Sequence, residues 1–448
     1  MASTYLSFTP SSTGNQRTFT FSFWVKRSKL GLGGTGQVIY CQSYGSDGYQ
    51  FKIEFTSNDE FRLYNSKGAS DAINLKTSKL FKDTSSWYAI TIQIDTTQST
   101  ASDRAKIYVN GVQETSFGSA TYPTQNLEMD ANAAAAQIIG AKYSGSYSTY
   151  FNGSLSHFYF VDGTAYAAST FGSTDSTTTG QWKINTSPTV TYGTNGFFIL
   201  KDGNSVTDQS GNSNNFTVGG GTLTKTEDCP SNVFSTLNPL GYASASFTLI
   251  EGNLYSGGAD NNWRSIFGTI GSSSGKYYYE VKIISTANEH IGIASADQMA
   301  NCSGSTGKFT DNSYGAEGYS YTNGGQKANN GNEVNWGNSY TTNDIIGVAF
   351  DLDNSKLYFS KNGTWQESGD PTSGATGTGA AFTLVANKIY LPAMASYGAA
   401  SNMAFNFGNG YFRTTAISSA GTNASGIGIF EYDVPTGYTA LSTKGLNL

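Results

Sequence analysis

The stretch "RTFTFSFWVK", Arg17 to Lys26, alternates strictly, with Phe19, Phe21, Phe23 and Val25 on one side of an extended chain and Thr18, Thr20 and Ser22 on the other. A period of two does not fit a helix; it calls for a sheet with one face against a core. The same device returns in "YAITIQID" with Ile90, Ile92 and Ile94, in "GSLSHFYFVDG" with Phe158 and Phe160, and in "KYYYEVKII" with Tyr277, Tyr279, Val281 and Ile283. It continues in "DIIGVAFDLD", which aligns Ile346, Val348, Phe350 and Leu352, and in "NMAFNFG", which aligns Met403, Phe405 and Phe407. Twice the pattern runs into Asn-Gly, in "KIYVNGVQ" (Lys106 to Gln113) and "KLYFSKNGTW" (Lys356 to Trp365). That dipeptide readily takes the positive φ angles of a tight hairpin, so both phrases read as a strand followed by a reversal.

Strands of this kind imply an all-β chain, and 448 residues are more than one core usually organises. The expected layout is two antiparallel β-sandwich, jelly-roll-like domains in tandem. Residues 1–225 form the first, with edge strands at Phe197 to Leu200 and Phe216 to Val218, and 226–240, "TEDCPSNVFSTLNPL", form a linker without periodicity. Residues 241–415 form the second domain and 416–448 a short irregular tail. The one helix-friendly run, "MDANAAAAQII" from Met129, is long enough for one or two turns.

Only 13% of residues are charged, the net charge is −6 and no basic run occurs, so the electrostatic footprint of a nucleic-acid binder is missing. Cys41, Cys229 and Cys302 are too scattered for a zinc site or a disulfide framework. No segment approaches the ~20 apolar residues of a membrane-spanning helix, and the N-terminus lacks the basic and apolar pattern of a secretory leader. The expectation is a protein folded where it is made. The abundance of Ser, Thr, Asn, Gly and Tyr nevertheless suits an external adhesive surface. A virus particle released by lysis reconciles the two.

The ordered phrases "GKYYYEVKI", "HIGIA", "EGYSYTNGGQKANNG", "DIIGVAFDLDNSKLYFSKNG", "YLPAMASYG" and "AFNFG" resemble a SPRY domain over roughly Phe247 to Phe412. The first half resembles a laminin-G-like, concanavalin A-like lectin sandwich through "FTFSFWVKR", "WYAITIQID", "KIYVNG" and "FNGSLSHFYFVDG". The phrase "DQSGNSNNFT" adds Asp208, Ser210, Gly211, Asn212 and Asn214 to that likeness. The pairing is similar to proteins of tailed bacteriophages and implies a virion-surface protein made in the bacterial host cytoplasm. Both modules are binding scaffolds, and a fold alone does not fix a ligand.

Several motifs bear on chemistry. "GLGGTG", Gly31 to Gly36, matches G-x-G-x-x-G but lacks the strand–helix context of a dinucleotide site, so it reads as a hairpin loop. Asp351 and Asp353 in "DLDN" are placed for turn chemistry before they are placed for glycoside hydrolysis. Asp202, Asn204, Asp208 and Asn212 could offer oxygens to a calcium ion, although their spacing is not that of an EF-hand and Asx turns are the leading account of them. His157 and His290 lie in strand contexts, no G-x-S-x-G elbow occurs and no triad can be assembled, so no enzyme is expected.

The positive signal is aromatic. Tyr143, Tyr147 and Tyr150 lie in one loop region, and Tyr314, Tyr319, Tyr321, Trp336 and Tyr340 in another. Rings so placed either give the C–H face of a sugar a flat platform or fill and cap the sandwiches. The leading expectation is a tail-fibre or spike protein binding a host surface glycan or receptor. Its partners would be other virion proteins and further copies of itself, without nucleic acid or membrane insertion. A capsid decoration protein is the alternative, and a polysaccharide depolymerase comes third.

Overall fold

The computed structural model describes residues 3–31, 34–45, 48–68, 70–177, 180–201, 205–240, 248–257, 261–302, 306–398 and 400–448. The chain divides into two compact units, Met1–Lys225 and Thr226–Leu448. Each is a pair of antiparallel sheets pressed together, as the alternation requires.

In the first unit, among the described residues, the larger sheet has eight strands. Their order is Phe117–Thr121, Ser70–Leu80, Glu60–Lys67, Tyr49–Phe55, Gln37–Ser43, Gln137–Ile139, Tyr5–Phe8 and Thr217–Gly219. The facing six-stranded sheet runs Phe197–Ile199, Gly153–Asp162, Thr18–Arg27, Trp87–Asp95, Ala105–Val109 and Val112–Gln113. Phe19, Phe21, Phe23 and Val25 are at most 1% exposed and interleave with Tyr40, Phe51, Ile53 and Leu63 of the opposite sheet. Phe21 meets Tyr40 at 4.6 Å between ring centroids, and Phe23 stacks on Phe158 at 4.8 Å.

In the second unit, among the described residues, a nine-stranded sheet centres on Lys276–Ser285, Ile345–Asp351 and Lys356–Lys361. It faces a six-stranded sheet ordered Trp263–Phe267, Tyr390–Tyr397, Asn288–Ser295, Gly318–Thr322, Gln326–Asn329 and Asn332–Asn335. Tyr279, Val281, Ile283, Ile346, Val348, Phe350, Met403 and Phe405 form the core between them.

The two Asn-Gly phrases adopt one geometry. Asn110 and Asn362 both have φ of 49°, and Gly111 and Gly363 both have φ of 77°, as a two-residue hairpin turn demands. Each asparagine also ties its turn to the next strand over. Asn110 donates its N–H to the Ala89 carbonyl and accepts the Ala89 N–H on its side chain, both at 2.8 Å. Asn362 does the same with Ile345, again at 2.8 Å. A ring closes over each glycine: a Cβ would stand 2.1 Å from Trp182 at Gly111 and 2.6 Å from Tyr432 at Gly363. The likeness of the phrases is therefore a shared solution to a shared turn.

Three expectations need correction. Residues 226–240 are not a free linker where they are described, because Phe234 and Leu237 are 1% exposed and bridge to Ser442 and Gly268 of the second unit. Residues 416–448 are not a loose tail. Phe430, Val434, Tyr438 and Ala440 cover Tyr278, Ala349 and Tyr358 on the outer face of the nine-stranded sheet, which would otherwise meet water. As expected of a stretch with one or two short strands, the tail does hold short strand, and Thr439–Ala440 pairs parallel beside Tyr277 and Tyr278. Finally, the Ala-rich run is an irregular buried passage. Gln42 donates to the carbonyls of Ala133 and Ala135 and accepts from the Asn132 N–H, and Asn65 accepts from the Asp130 N–H. Asn132 at φ 63° leaves the helical region, and side-chain amides supply the partners a helix would have given. The described α-helix, Ala296–Cys302, lies elsewhere and carried no sequence signal.

Glu280 anchors the C-terminal strap. Its fully buried carboxylate accepts the backbone N–H groups of Glu431 and Tyr432, both at 2.9 Å, together with the Asn406 amide and the Tyr278 hydroxyl, both at 3.1 Å. Burial pushes this carboxyl up to about 7, with those donors opposing the rise.

Two predictions follow from these contacts. Asn110→Ala and Asn362→Ala should each lower unfolding free energy by about 1–3 kcal/mol in urea melts, through lost bonds and a strained φ; a change within error would remove the turn argument. The second concerns Glu280. Between the ordinary carboxyl pKa and about 7 the folded protein holds a proton that the unfolded chain has released, so stability falls as pH rises through that window. Relative to Glu280→Gln, the wild-type protein should lose up to about 3 kcal/mol between pH 4.5 and 7. A difference that stays constant with pH would refute it.

Candidate functional site

The outer face of the eight-stranded sheet carries an array of polar and aromatic side chains, of which Lys52 and Glu54 are buried and Arg62, Tyr64 and Lys76 half-buried. Because Phe51, Ile53 and Phe55 point into the core, Lys52 and Glu54 point out, and because Phe61 and Leu63 point in, Arg62 and Tyr64 point out. Strand register lines these up in two rows. One is Val38, Glu54, Arg62 and Lys76, and the other is Cys41, Lys52, Tyr64 and Asn74. Arg62 and Lys52 both pair with Oε1 of Glu54, the latter at 3.6 Å, and Lys76 pairs with Oε1 of Glu60 at 3.1 Å. Lys52 and Arg62 also approach the Tyr64 ring, at 4.9 and 4.7 Å from its centroid.

A two-stranded hairpin, Lys142–Tyr143 with Tyr147–Ser148, stands on this face beside Gln37–Ser43. Val38 donates its N–H to the Thr149 carbonyl at 3.0 Å and bridges to Tyr150. Beneath lies an apolar floor of Val38, Cys41, Ile138 and Ala141. Tyr147 stacks on Tyr5 at 3.8 Å and tilts against Tyr143 at 4.9 Å, and all three rings are half-buried. Partial burial and the neighbouring Tyr5 push the Tyr147 phenol up to about 12, so its hydroxyl stays protonated and able to donate. Burial likewise raises the Cys41 thiol to about 11, which leaves it an inert part of the floor.

At the far end of the first row the face dips into a cleft of about 290 Å³ between Glu54, Glu60, Arg62, Lys76 and the turn Thr56–Asn58. Although partial burial opposes it, hydrogen bonds from Thr56 and Lys76 hold the Glu60 carboxyl below its ordinary value.

Of the tyrosines expected in this region, Tyr143 and Tyr147 stand in the hairpin strands and Tyr150 just after them at the bridge to Val38, while the sequence expectation does not include Tyr5 or the polar rows. The alternations "QFKIEF" and "EFRLYN", with Lys52, Glu54, Arg62 and Tyr64 in the outward parity, were the available signal.

The second aromatic group is corrected. Tyr319, Tyr321 and Tyr340 are 4%, 0% and 3% exposed and belong to the core. Tyr321 donates to the Asn338 carbonyl and Tyr340 to the Glu289 carbonyl, the latter at 3.3 Å. Trp336 sits edge-on to Tyr321 at 5.6 Å, half-buried, and Tyr314 packs at the edge of the cluster around Phe309 while donating to Thr306. These rings fill and cap the sandwich. Their strands present them inward, and only Tyr314 and Trp336 retain partial exposure.

The remaining candidates resolve into local structure. Asp202 and Asn204 lie outside the described residues. Asp208 is saturated: Oδ1 accepts the N–H groups of Phe198 and Ser210, both at 2.9 Å, and Oδ2 accepts the Ser210 hydroxyl at 2.7 Å and the Asn214 N–H at 2.9 Å. The Asn212 amide donates to Gly193 and Gly196. This network organises the loop and leaves Asp208 no lone pair for a cation. Among the described residues no cluster of three or more His, Cys, Asp or Glu side chains is arranged for a metal. Asp351 accepts from the backbone and side chain of Asn354, the local turn chemistry expected of "DLDN", whereas Asp353 accepts the N–H of the sequence-distant Gly275. Gly31 and Gly34 belong to a loop whose Gly31 N–H donates to Asp59.

His157 occupies a bulge at φ 48°, with Nδ1 2.7 Å from the Ser156 hydroxyl. His290 is buried against Ser320 at 2.8 Å, and burial, with the charge of Lys308 adding and Glu333 opposing, pushes it down to about 3. It is neutral at physiological pH and serves as a packed hydrogen-bonding group.

Comparison with known proteins agrees with this architecture. Residues 1–169 match the Concanavalin A-like lectin/glucanases superfamily (Laminin_G_3), and residues 276–410 match the SPRY domain family. The chain is 33% identical over 101 residues to ATP-dependent RNA helicase DDX1 of Xenopus laevis, covering 22% of this chain and 12% of that protein. It is 35% identical over 95 residues to a Ran-binding proteins 9/10 homolog of Drosophila melanogaster, covering 21% and 10% respectively. Thus the chain spans only a small part of the curated relatives it matches. Among solved structures, the SPRY domain of human HERC1 aligns at 16% identity over 38% of this chain and 96% of its own, with a TM-score of 0.30. The heptameric SAP-like pentraxin of Limulus polyphemus aligns at 16% identity over 37% and 72%, with a TM-score of 0.28.

Because four donors already fill Asp208, EDTA should leave the melting temperature unchanged, whereas Asp208→Ala should cost about 2–4 kcal/mol by orphaning those donors. A downward shift under EDTA that calcium reverses would overturn this.

Proposed function

We propose, for a chain that joins a concanavalin A-like, laminin-G-like lectin domain to a SPRY domain, the role of an exposed structural protein of a tailed-bacteriophage particle. On this reading it is of tail-fibre or spike type, and its first unit binds a host surface glycan. The observation that carries the reading is the half-buried stack of Tyr5, Tyr147 and Tyr143 on an apolar floor, with charged and amide side chains in register beside it. Such a surface offers ring faces to sugar C–H groups and fixed donors and acceptors to their hydroxyls. The pairing of the two modules and the low density of charge support a place on a particle's exterior.

The protein binds without cleaving. The carboxylates of this face, Glu54 and Glu60, are each held by a cation, and hydrolysis needs one carboxyl kept protonated. The second unit joins the first to other particle proteins, and its extensive self-covering leaves loops and edges for that contact. No nucleic acid, membrane or resident cofactor enters the scheme.

The purified chain should compete with whole particles for adsorption to host cells, and Tyr147→Ser together with Tyr143→Ser should weaken that competition at least tenfold while leaving the melting temperature within a few degrees. Immunogold imaging should place the chain on tails. Label confined to heads would move the protein to capsid decoration, and absence from purified particles would end the virion reading.

A further inference from the structure

The tyrosine hairpin accounts for one side of the open face and leaves the cleft unexplained. The cleft is lined by two carboxylates and two cations, paired as Glu54 with Arg62 and Glu60 with Lys76, and Lys52 outside the lining also reaches Glu54 at 3.6 Å. Its volume of about 290 Å³ lies at the small end of ligand pockets, which suits one compact unit and not a chain. The pairing also leaves groups free for a guest. Arg62 binds Glu54 through Nε and Nη2, both on Oε1, so its Nη1 donors and the Oε2 acceptor remain. Lys76 contributes one of its three donors to Glu60.

An anionic guest would meet two carboxylates that already hold the cations, and a cationic guest would meet the reverse. A neutral polyol disturbs neither pair, because a hydroxyl can donate to Glu54 while its neighbour accepts from Arg62 or Lys76. The position fits as well. Glu54 is the cross-strand partner of Val38 on one side and Tyr150 bridges Val38 on the other, so Tyr150 and the cleft's Glu54 stand about two strand spacings, ~9.6 Å, apart.

We propose that this cleft is a subsite for a single neutral, hydroxyl-rich sugar unit, adjoining the unit held by the tyrosine hairpin, and that it selects against uronic and sialic acid residues. The assignment rests on the glycan reading above and adds to it the ligand's charge and its course across the strands.

The test uses the full chain with neutral tetrasaccharides of glucose, mannose and N-acetylglucosamine and with a tetrauronate, by calorimetry and by NMR of labelled threonine methyls. At least one neutral tetrasaccharide should bind, shift the Thr56 methyl and exceed the tetrauronate in affinity by tenfold or more. Asn58→Trp, which fills the cleft from an exposed turn, and Lys76→Met should each weaken it five- to twentyfold. Should both variants bind like wild type while Tyr147→Ser does not, the subsite is wrong and the hairpin reading stands. Tighter binding of the tetrauronate overturns the neutral assignment, and no binding of any probe by the wild-type chain removes both.

Discussion

A pleated strand has two faces, and a two-layer sandwich can hide only one of them behind the partner sheet. What becomes of the other face decides where this protein is open. In the second unit the chain itself covers a central part of each outer face, while the edge strand Asn332–Asn335 stays exposed. The C-terminal strap lies over Tyr278 and Tyr358, and the Ala296–Cys302 helix with the segment around Phe309 lies over Phe267, Ala393 and Ala395. In the first unit the six-stranded sheet is covered in the same way, with Tyr159, Val161 and Phe198 beneath Phe171, Tyr166 and Tyr192. The eight-stranded sheet differs. Its hairpin covers one part, and the remainder carries Arg62, Tyr64 and Lys76, half-buried and tolerant of water, around the buried Lys52 and Glu54. The candidate site is therefore on the face that the chain leaves uncovered, and its chemistry is that of an outward strand parity.

The inward parity was plain in the sequence. Phe19, Phe21, Phe23 and Val25, and likewise Tyr279, Val281 and Ile283, stand in the two cores that their alternation implies, and both Asn-Gly turns have the φ angles that the dipeptide favours. Outward parity was harder to read, because periodicity reports that residues alternate without reporting whether a second layer arrives from far along the chain. Tyr278 and Tyr358 carry polar hydroxyls and sit among polar neighbours, yet residues 430–440 bury them. The same ambiguity misdirected the reading of Tyr319, Tyr321 and Tyr340. A phenol is amphipathic, so a Tyr-rich, Gly-rich stretch looks like an exposed loop until strand register turns its rings inward. Residues 129–136 failed for a related reason: Ala favours a helix locally, but it is also small enough to pass through a crowded interior where Gln42, Asn65 and Gln16 complete its hydrogen bonds.

The open face is not independent of the core beneath it. Directly under the cleft, Arg27 is buried against Phe55, 4.4 Å from its ring centroid, and donates to Asp59 at 2.8 Å and to the carbonyls of Phe81 and Lys29. Asp59 also accepts the Gly31 N–H at 2.6 Å and sits at φ 69°, a conformation that the ion pair and this bond hold in place. A buried ion pair is poor evidence of net stability, since desolvation offsets much of its attraction, and burial alone draws the Arg27 pKa down. Its effect is positional. By fixing Asp59 it fixes the preceding residues Thr56 to Asn58, which form the cleft's wall, and Gly31 must lack a side chain because a Cβ would come within 2.1 Å of the Ser57 carbonyl oxygen. The link from core to surface thus runs through one guanidinium: the packing of the two sheets places Arg27, Arg27 places the turn, and the turn gives the polar row above it a closed end.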